Sequence, residues 1–384
     1  GKTDPCIFNY KDKCYLGIYV DDMLLTGEEF VLNWMKPKIM SLYDMKDIGQ
    51  LSLFLGIEVT QVQGEMHLSQ ERYIEKLLKR FGLQDAKPLQ YPCDQNTKLI
   101  IFDAEKPGEL MTNRTVYREL IGSLMYLMVC TRPDIAFIVS VLARFMAIPE
   151  KKHFAVAKNV LRYLKGTKTR GITYKPTKCT LPKKESLDIA GYTDADWAGD
   201  TKTRKSTSGY LFMLQGSHVI SWKSKQQESV ATSSTEAEYI SLHEGLKEGI
   251  WLKNLLMDFG INIPMITLFE DNQACCRLTS QNLITSRTKH VDVRYHSIRD
   301  HVKNKTVKVI WIPTTEMIAD ILTKFCTGPK FIELRNQIVE TPSITTESAD
   351  ISIEGGCKED ISIDNAIIHL LGQYERYTGL LLLA

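Results

Sequence analysis

Four acidic side chains in the second half of the sequence stand where predicted strands end or predicted helices begin. Asp194 and Asp271 each close a predicted strand, Glu238 lies in the opening turns of a long predicted helix, and Asp320 begins the last predicted helix. In open α/β sheets, the crevice at such positions is where ligands bind. Four carboxylates gathered there would repel one another unless cations lay between them. Two Mg²⁺ ions about 4 Å apart would remove that repulsion and create a hydrolytic site for phosphodiesters.

Taken singly, each of these acids is more often an exposed turn residue or a helix cap. The set of four, in this order of strands and helices, favours a metal site instead. Spacing alone leaves one choice open, because Glu236 lies two residues before Glu238 and would point to a different side of the same helix.

A second acidic pair, Asp21 and Asp22, lies near the start of the sequence. Residues 5–25 alternate apolar and polar residues around a polar turn at 11–13, which predicts a hairpin. The two aspartates follow Tyr19 and Val20 and precede a second apolar segment. Two adjacent aspartates in a turn are by themselves a weak signal.

The elements that must position these acids show two periodicities, and the change falls near Ser186. Before it, the sequence predicts a hairpin over 5–25, a strand over 53–60, a helix over 69–81 with Ser69 as its N-cap, a linker over 85–115, and helices over 117–165 with Pro133 and Pro149 in first turns. After it, the sequence predicts strands near 187–194, 208–215 and 218–224, a helix ending near 259–260, a strand at 265–270, a helix near 291–303, a strand at 307–312, and a helix from Glu316. Three strands followed by alternating helices and strands indicate a mixed sheet covered by helices.

The bulk composition indicates a globular chain. With 384 residues it is long enough for two or three domains. No apolar stretch approaches the roughly 20 residues that cross a bilayer. Nine cysteines without a C-x-x-C pair argue against a disulfide framework and a zinc module. We therefore expect an intracellular protein without a membrane partner, and a fragment of a longer one, since it begins with Gly1 and has no signal peptide.

Charge is distributed unevenly along the sequence. Residues 151–184 contain eleven Lys or Arg and no acid, whereas residues 340–364 contain seven acids and one lysine. The basic segment is interleaved with aromatic residues, which favours a surface that binds phosphates over a merely solvated helix face. The candidate nucleic-acid-binding residues are Lys158, Arg162, Lys165, Lys168 and Arg170.

The sequence motifs around the four acids resemble those of the ribonuclease H domain of copia-type retrotransposons. These motifs occupy residues 191–200, 206–210, 220–222, 234–239, 271–273, 287–290 and 319–324. The resemblance implies cleavage of the RNA strand of an RNA–DNA hybrid, recognised through its 2′-hydroxyls and backbone. It also implies that Asp194, Glu238, Asp271 and Asp320 bind two Mg²⁺, which Mn²⁺ can replace. His290 and His296 belong to the same pattern, which implies a role in substrate binding or proton transfer, with helix-cap or core histidines as the alternative. Glu238 is chosen over Glu236 because the family's acid directly precedes an apolar residue, here Tyr239.

The upstream residues resemble the later part of the reverse transcriptase that accompanies such a domain. Asp21 and Asp22 match the metal-binding turn of its palm. The sequence motifs at 54–58, 117–126 and 131–134 also resemble this reverse transcriptase. A polymerase palm needs another aspartate on an earlier strand, plus fingers, and both would precede Gly1. We therefore expect that this chain does not extend a primer, and that the rest of Pol or a second subunit is a partner.

The resemblance and the periodicities together predict a multidomain α+β and α/β protein. We expect the end of a reverse transcriptase palm and thumb over 1–95, a helical basic connection over 96–184, a ribonuclease H-like domain with a five-stranded mixed sheet over 185–325, and a poorly ordered acidic tail over 326–384. The expected location is the cytoplasm, in a virus-like particle, or the nucleus. The alternative is an inactive nucleic-acid-binding remnant of a decayed transposon.

Overall fold

The strands of this chain form three separate sheets. The structure is a computed structural model that describes residues 2–62, 64–102, 108–175, 188–280 and 292–342. The candidate residue His290, and the acidic segment from residue 343 on, lie outside the described residues. Within them, no helix combines the length and apolar character needed to span a membrane.

The first sheet carries the Asp21–Asp22 pair. It consists of β1 (Ile7–Tyr10), β2 (Cys14–Tyr19) and β3 (Asp22–Gly27), all antiparallel and in chain order. The predicted hairpin is thus confirmed and extended by a third strand. A helix that the sequence did not predict, α1 (Glu29–Leu42), follows β3.

The second sheet corrects the prediction of a single strand over 53–60. The chain instead forms β4 (Leu53–Phe54), β5 (Ile57–Val62) and β6 (Glu65–Ser69), and β7 (Ile172–Tyr174) joins β6 from far along the sequence. Leu55 and Gly56 have φ values of 49° and 74°, the left-handed geometry of a tight hairpin turn. A Cβ at Gly56 would lie 2.3 Å from the Tyr126 hydroxyl oxygen, so this position requires glycine.

Two further predictions in this half need correction. Helix α2 (Glu71–Arg80) starts after Gln70, and Ser69 is the last residue of β6, paired with Glu58, rather than the N-cap. The predicted linker contains α3 (Gln95–Phe102), which begins where the Asp94 carboxylate accepts a hydrogen bond from the Thr97 backbone amide (2.8 Å). A local cap thus starts a helix in a segment whose composition predicted none.

The predicted helices over 117–165 are confirmed. They are α4 (Arg114–Cys130), a 3-10 turn (Pro133–Ile135), α5 (Ala136–Ala143) and α6 (Lys151–Gly166). Pro133 opens its turn as predicted. Pro149 lies just outside α6, because Glu150 is the N-cap.

The third sheet confirms the predicted five-stranded mixed sheet. Its members and their covering helices are β8 (Ile189–Asp196), β9 (Thr207–Leu214), β10 (His218–Gln226), α7 (Ser234–Asp258), β11 (Ile266–Glu270), α8 (Gln273–Ser280), α9 (Asp292–Lys303) and β12 (Val307–Trp311). The order is β10-β9-β8-β11-β12. The first three strands are antiparallel, whereas β11 runs parallel to both β8 and β12. Only α8 was not predicted.

The end of the described chain differs from the prediction in two ways. Residues Ile318–Leu322 form a 3-10 helix in place of the α-helix expected from Glu316. Residues expected to be loose contain α10 (Gly328–Asn336), whose Phe331 packs edge-on against Tyr163 with ring centroids 5.7 Å apart. This helix buries only three of its residues, too few to show a helical period in the sequence.

The helical region and the third sheet share one apolar core. The Trp222 indole nitrogen donates to the Met128 carbonyl (2.7 Å), and the Tyr174 hydroxyl donates to the Val219 carbonyl (2.9 Å). The predicted domain boundary at 184/185 lies outside the described residues and stays a prediction.

Candidate active site

Three of the four predicted acids meet at one end of the five-stranded sheet. Asp194 lies on β8, Asp271 directly follows β11, and Glu238 lies on α7. Carboxylate oxygens of all three lie within 4.8 Å of one another. Because β8 and β11 are parallel neighbours, their carboxyl ends reach the same edge of the sheet. We call these three residues the acidic triad.

Close packing of α7 on β8 brings Glu238 to this edge. The Ser241 hydroxyl donates to the Asp194 carbonyl oxygen (2.7 Å), which ties the helix to the strand. Farther along, a Cβ at Gly245 would lie 2.5 Å from the Thr193 methyl group, so the absence of a side chain permits the close approach.

The structure assigns Glu236 and Glu238 different positions. Ser233 is the N-cap of α7 and accepts from the Glu236 backbone amide (3.2 Å). The Glu236 carboxylate accepts in turn from the Thr232 backbone amide (2.7 Å) and hydroxyl (2.6 Å), an arrangement close to a capping box. Glu236 therefore caps the helix, and it is Glu238 that joins the triad.

Glu238 is buried with one oxygen unpaired. The residue is 7% exposed, and its Oε2 has no hydrogen-bond partner within the described part of the chain. Burial and the nearby charges of Glu270, Asp194 and Asp271 raise the pKa of Glu238 well above its ordinary value. An unpaired buried carboxylate oxygen costs free energy unless a ligand completes it.

Glu270 is a member of the site that sequence reasoning missed. It is fully buried on β11, and it accepts from the Thr193 hydroxyl (3.0 Å) and the Asn272 backbone amide (3.1 Å). Burial raises the pKa of Glu270 well above its ordinary value, and the charge of Asp194 adds to the effect. The signal was present, because the alternation of β11 places Glu270 on the same face as the buried Ile266 and Leu268.

Asp320 lies beside the triad but is not one of the residues whose oxygens converge. Lys324 Nζ lies between Asp194 Oδ1 (3.0 Å) and Asp320 Oδ1 (2.6 Å), and Lys330 forms an ion pair with the other oxygen of Asp320. Thr323 also donates to Asp194. The structure therefore brings three predicted acids together and joins the fourth to them through an ammonium group.

The triad fits a hard divalent cation. Its donors are carboxylate oxygens only, which Mg²⁺ and Mn²⁺ prefer. Glu238 Oε2, which has no hydrogen-bond partner among the described residues, is free to bind such a cation. Burial also raises the pKa of Asp194, to about 6, although Lys324 opposes the effect, so negative charge gathers here at a cost that a cation would offset.

We expect a divalent cation to stabilise the protein more at about pH 8 than at about pH 5. Since the pKa values of Asp194 and Glu238 are raised on folding, the unfolded chain ionises first, and the free energy of unfolding falls as pH rises. For Asp194 this fall extends from the ordinary carboxyl range through about 6, and the raised pKa of Glu238 acts in the same direction. A bound cation reverses this loss, by about 2.7 kcal/mol at roughly 100 times its Kd. Thermal unfolding with and without MgCl₂ at both pH values measures the effect. An equal shift at both, or one retained in Asp271→Asn, would contradict it.

Asp21 lies in the turn between β2 and β3 and Asp22 is the first residue of β3, and both are exposed. Among the described residues, no third His, Cys, Asp or Glu joins them within the reach of one metal ion. Val20 beside them is exposed, with φ of 49°. Their predicted role in metal binding stays a prediction.

The basic candidates of residues 151–170 largely hold elements together. Arg162 donates to the Lys87 carbonyl (2.9 Å), Lys165 to the Ala86 carbonyl (2.9 Å) and Arg170 to the Val339 carbonyl (3.0 Å). Lys168 pairs with Glu71 (2.8 Å), and Lys158 lies over the Phe154 ring (5.1 Å). These contacts give the basic segment a structural role, and its binding to nucleic acid stays a prediction.

A five-stranded mixed sheet in this order, with buried acids at the ends of its parallel strands, defines the ribonuclease H class of fold. The reverse transcriptase (RNA-dependent DNA polymerase) family matches residues 6–95. The Pol polyprotein from transposon TNT 1-94 of Nicotiana tabacum is 40% identical over 348 residues, which are 88% of this chain and 25% of that protein. A transposon Ty5-1 protein of Saccharomyces cerevisiae is 32% identical over 237 residues, 61% of this chain and 73% of that protein. The chain belongs to the Pol polyprotein family of copia-type retrotransposons, and it spans about a quarter of the tobacco relative.

Among solved structures, LC11 ribonuclease H1 in complex with an RNA/DNA hybrid aligns with 35% of this chain and 94% of its own. The sequence identity is 14% and the TM-score 0.28. The fold class is therefore assigned from strand order and not from this superposition.

Proposed function

We propose that this chain is a divalent-cation-dependent nuclease that hydrolyses the RNA strand of RNA–DNA hybrids. The observation that carries the proposal is the acidic triad, whose carboxylate oxygens, two of the three residues being buried, converge within 4.8 Å at the edge of the mixed sheet. Asp194, Glu238 and Asp271 would hold the cation. When bound, Mg²⁺ supplies an acidified water and neutralises the charge that develops at phosphorus.

The remaining residues of the site hold the triad in place. Glu270 is anchored by Thr193 and by the Asn272 amide, which fixes the backbone just where Asp271 begins. The Trp311 indole nitrogen donates to the Asp271 carbonyl (2.9 Å) from the neighbouring strand. Asp271 itself is partly exposed, so a strand can approach the triad from that side.

Two points support an RNA–DNA hybrid as the proposed substrate: the chain's family, and the partial exposure of the triad at Asp271. A hybrid presents 2′-hydroxyls on one strand only, and these distinguish its RNA strand from DNA. Use of a second cation, with Asp320 as a ligand, is part of the same proposal.

The test is cleavage of a hybrid labelled on its RNA strand, in the presence of Mg²⁺ or Mn²⁺. We expect the wild type to cut the RNA strand of the hybrid and to leave duplex DNA intact, and we expect Asp271→Asn to be inactive. Undiminished cleavage by Asp271→Asn would refute the assignment. If the wild type bound hybrid without cutting it, the chain would instead be the inactive nucleic-acid-binding remnant.

We propose that this polypeptide does not extend a primer by itself. Asp21 and Asp22 are exposed and, among the described residues, have no third acid beside them to complete a polymerase metal site. A primer-extension assay is expected to show no incorporation by a preparation that cleaves hybrid. Incorporation by the isolated chain would overturn this point.

The partner and location belong to the same proposal. The proposed partner is the rest of Pol or a second subunit. If the chain cleaves hybrids while the retrotransposon is reverse-transcribed, it would act in the cytoplasm, in a virus-like particle, or in the nucleus.

A further inference from the structure

The place beside the acidic triad is held by a lysine of the chain itself. Lys324 Nζ is 3.0 Å from Asp194 Oδ1 and 2.6 Å from Asp320 Oδ1, so one ammonium group bridges two buried carboxylates. Asp194 and Asp320 each have fully buried side chains, at most 1% exposed, whereas the Lys324 side chain is 35% exposed. The bridge therefore joins a fixed pair of anions to a cation with access to solvent.

A second lysine completes the arrangement. Lys330, at the start of α10, forms an ion pair with Asp320 Oδ2. Both oxygens of Asp320 thus face ammonium groups, one from each lysine. The two positive charges balance the two negative charges of Asp194 and Asp320, so this pair needs no metal ion for neutrality.

Divalent cations and ammonium groups compete for the same oxygens here. An ion bound between Asp194 and Asp320 would occupy the position of Lys324 Nζ, since both need the inner oxygens of the two carboxylates. Among the residues that the structure describes, Glu238 Oε2 has no hydrogen-bond partner. The two halves of the site are therefore unequal before any ion arrives.

We infer that Lys324 occupies the place of a second divalent cation in the free protein, steadied by Lys330 on Asp320, so that one ion binds at the triad and a second binds only after the ammonium group leaves. This inference rests on the proposed function. The long, partly exposed side chain of Lys324 can turn towards solvent. There its ammonium group would form an ion pair with a phosphate of a bound strand. The second ion would then enter together with substrate.

The test is the number and affinity of Mn²⁺ ions bound without nucleic acid, measured by calorimetry and by the paramagnetic resonance signal of free Mn²⁺. We compare the full chain with Lys324→Met, Lys324→Arg and Lys330→Met. Lys308→Met, which removes an exposed charge on β12 of the same sheet, is the matched control.

The wild type and Lys308→Met are expected to bind one ion tightly. Lys324→Met should bind a second ion with an affinity at least about tenfold higher than the wild type has for a second ion, because a full positive charge next to both ligands is gone. Lys324→Arg keeps the charge and should keep a single tight site. Lys330→Met, which leaves the bridge intact, should improve the second site by less than Lys324→Met does.

Two tight sites in the wild type, unchanged in Lys324→Met, would overturn the inference while leaving the proposed function standing. Failure of the proposed function is a separate outcome, namely no hybrid cleavage and no tight ion in any variant. Should Lys324→Met fail to fold, the wild-type stoichiometry and Lys330→Met decide, since two tight ions in the wild type already refute the inference.

Discussion

Replacing Glu238 with glutamine is expected to lower the rate of hybrid cleavage by about a thousandfold or more, since a lost metal ligand removes several kcal/mol of transition-state stabilisation. The substitution keeps the size of the side chain and removes one of three converging carboxylates. Single-turnover cleavage of labelled hybrid at saturating Mg²⁺ measures it.

The same substitution is expected not to destabilise the metal-free protein at neutral pH. Burial and neighbouring acids raise the pKa of Glu238, so its ionised form is unfavourable in the fold, and a neutral amide removes that cost. Lost activity in a protein that unfolds at the same or higher urea concentration therefore identifies a functional defect.

Glu236→Gln is the matched control, two residues away on the same helix. It alters a helix cap, so we expect near-wild-type cleavage and a loss of stability of about 0.5–1 kcal/mol. If Glu236→Gln abolished cleavage and Glu238→Gln did not, the assignment of the triad would be wrong.

Arg132→Met is expected to destabilise the protein by about 3–5 kcal/mol, the cost of leaving a buried charge without its partner. Arg132 is fully buried and donates to both carboxylate oxygens of Asp134 (2.9 and 2.7 Å) and to Thr167 (2.9 and 2.8 Å). The Tyr163 hydroxyl also donates to Asp134 (2.5 Å). Burial by itself would raise the pKa of Asp134, whereas the guanidinium lowers it, so removing Arg132 leaves a buried carboxyl group whose ionised form has lost its main partner.

Urea unfolding measures this loss. Lys151→Met is the control, because its pair with Glu109 (2.7 Å) is exposed on both sides and such pairs contribute about 0–1 kcal/mol. Replacing Arg132 and Asp134 together by apolar residues should recover part of the stability. A loss for Arg132→Met no larger than for Lys151→Met would show that the buried network does not hold the helices together.

Local pattern was sufficient where one element decides the outcome. Alternation predicted the strands of the mixed sheet to within a few residues, and apolar spacing predicted α7 up to its end near Phe259. It failed at Leu55 and Gly56, where two left-handed residues fold one expected strand back on itself. It also failed at α10, which has few buried residues and whose Phe331 packs against Tyr163 of α6.

For the site, the sequence by itself determined which acids stand at the ends of strands and the start of a helix, because those ends are set by neighbouring residues. Sequence motifs typical of the family also predicted that Asp194, Glu238 and Asp271 lie in one site. The positions of Glu236 and Glu238 were distinguished only by the structure, in which Glu236 caps the helix together with Thr232 and Ser233.

Only the tertiary structure decided how the fourth acid is used. Asp320 meets Lys324 within its own segment, but the contact of Lys324 with Asp194 joins residues 130 positions apart, and Lys330 reaches Asp320 because α10 packs there. Glu270 likewise belongs to the site only because Thr193 on β8 lies beside it. Electrostatic energies depend on distances through space and on burial, which the order of residues along the chain does not contain.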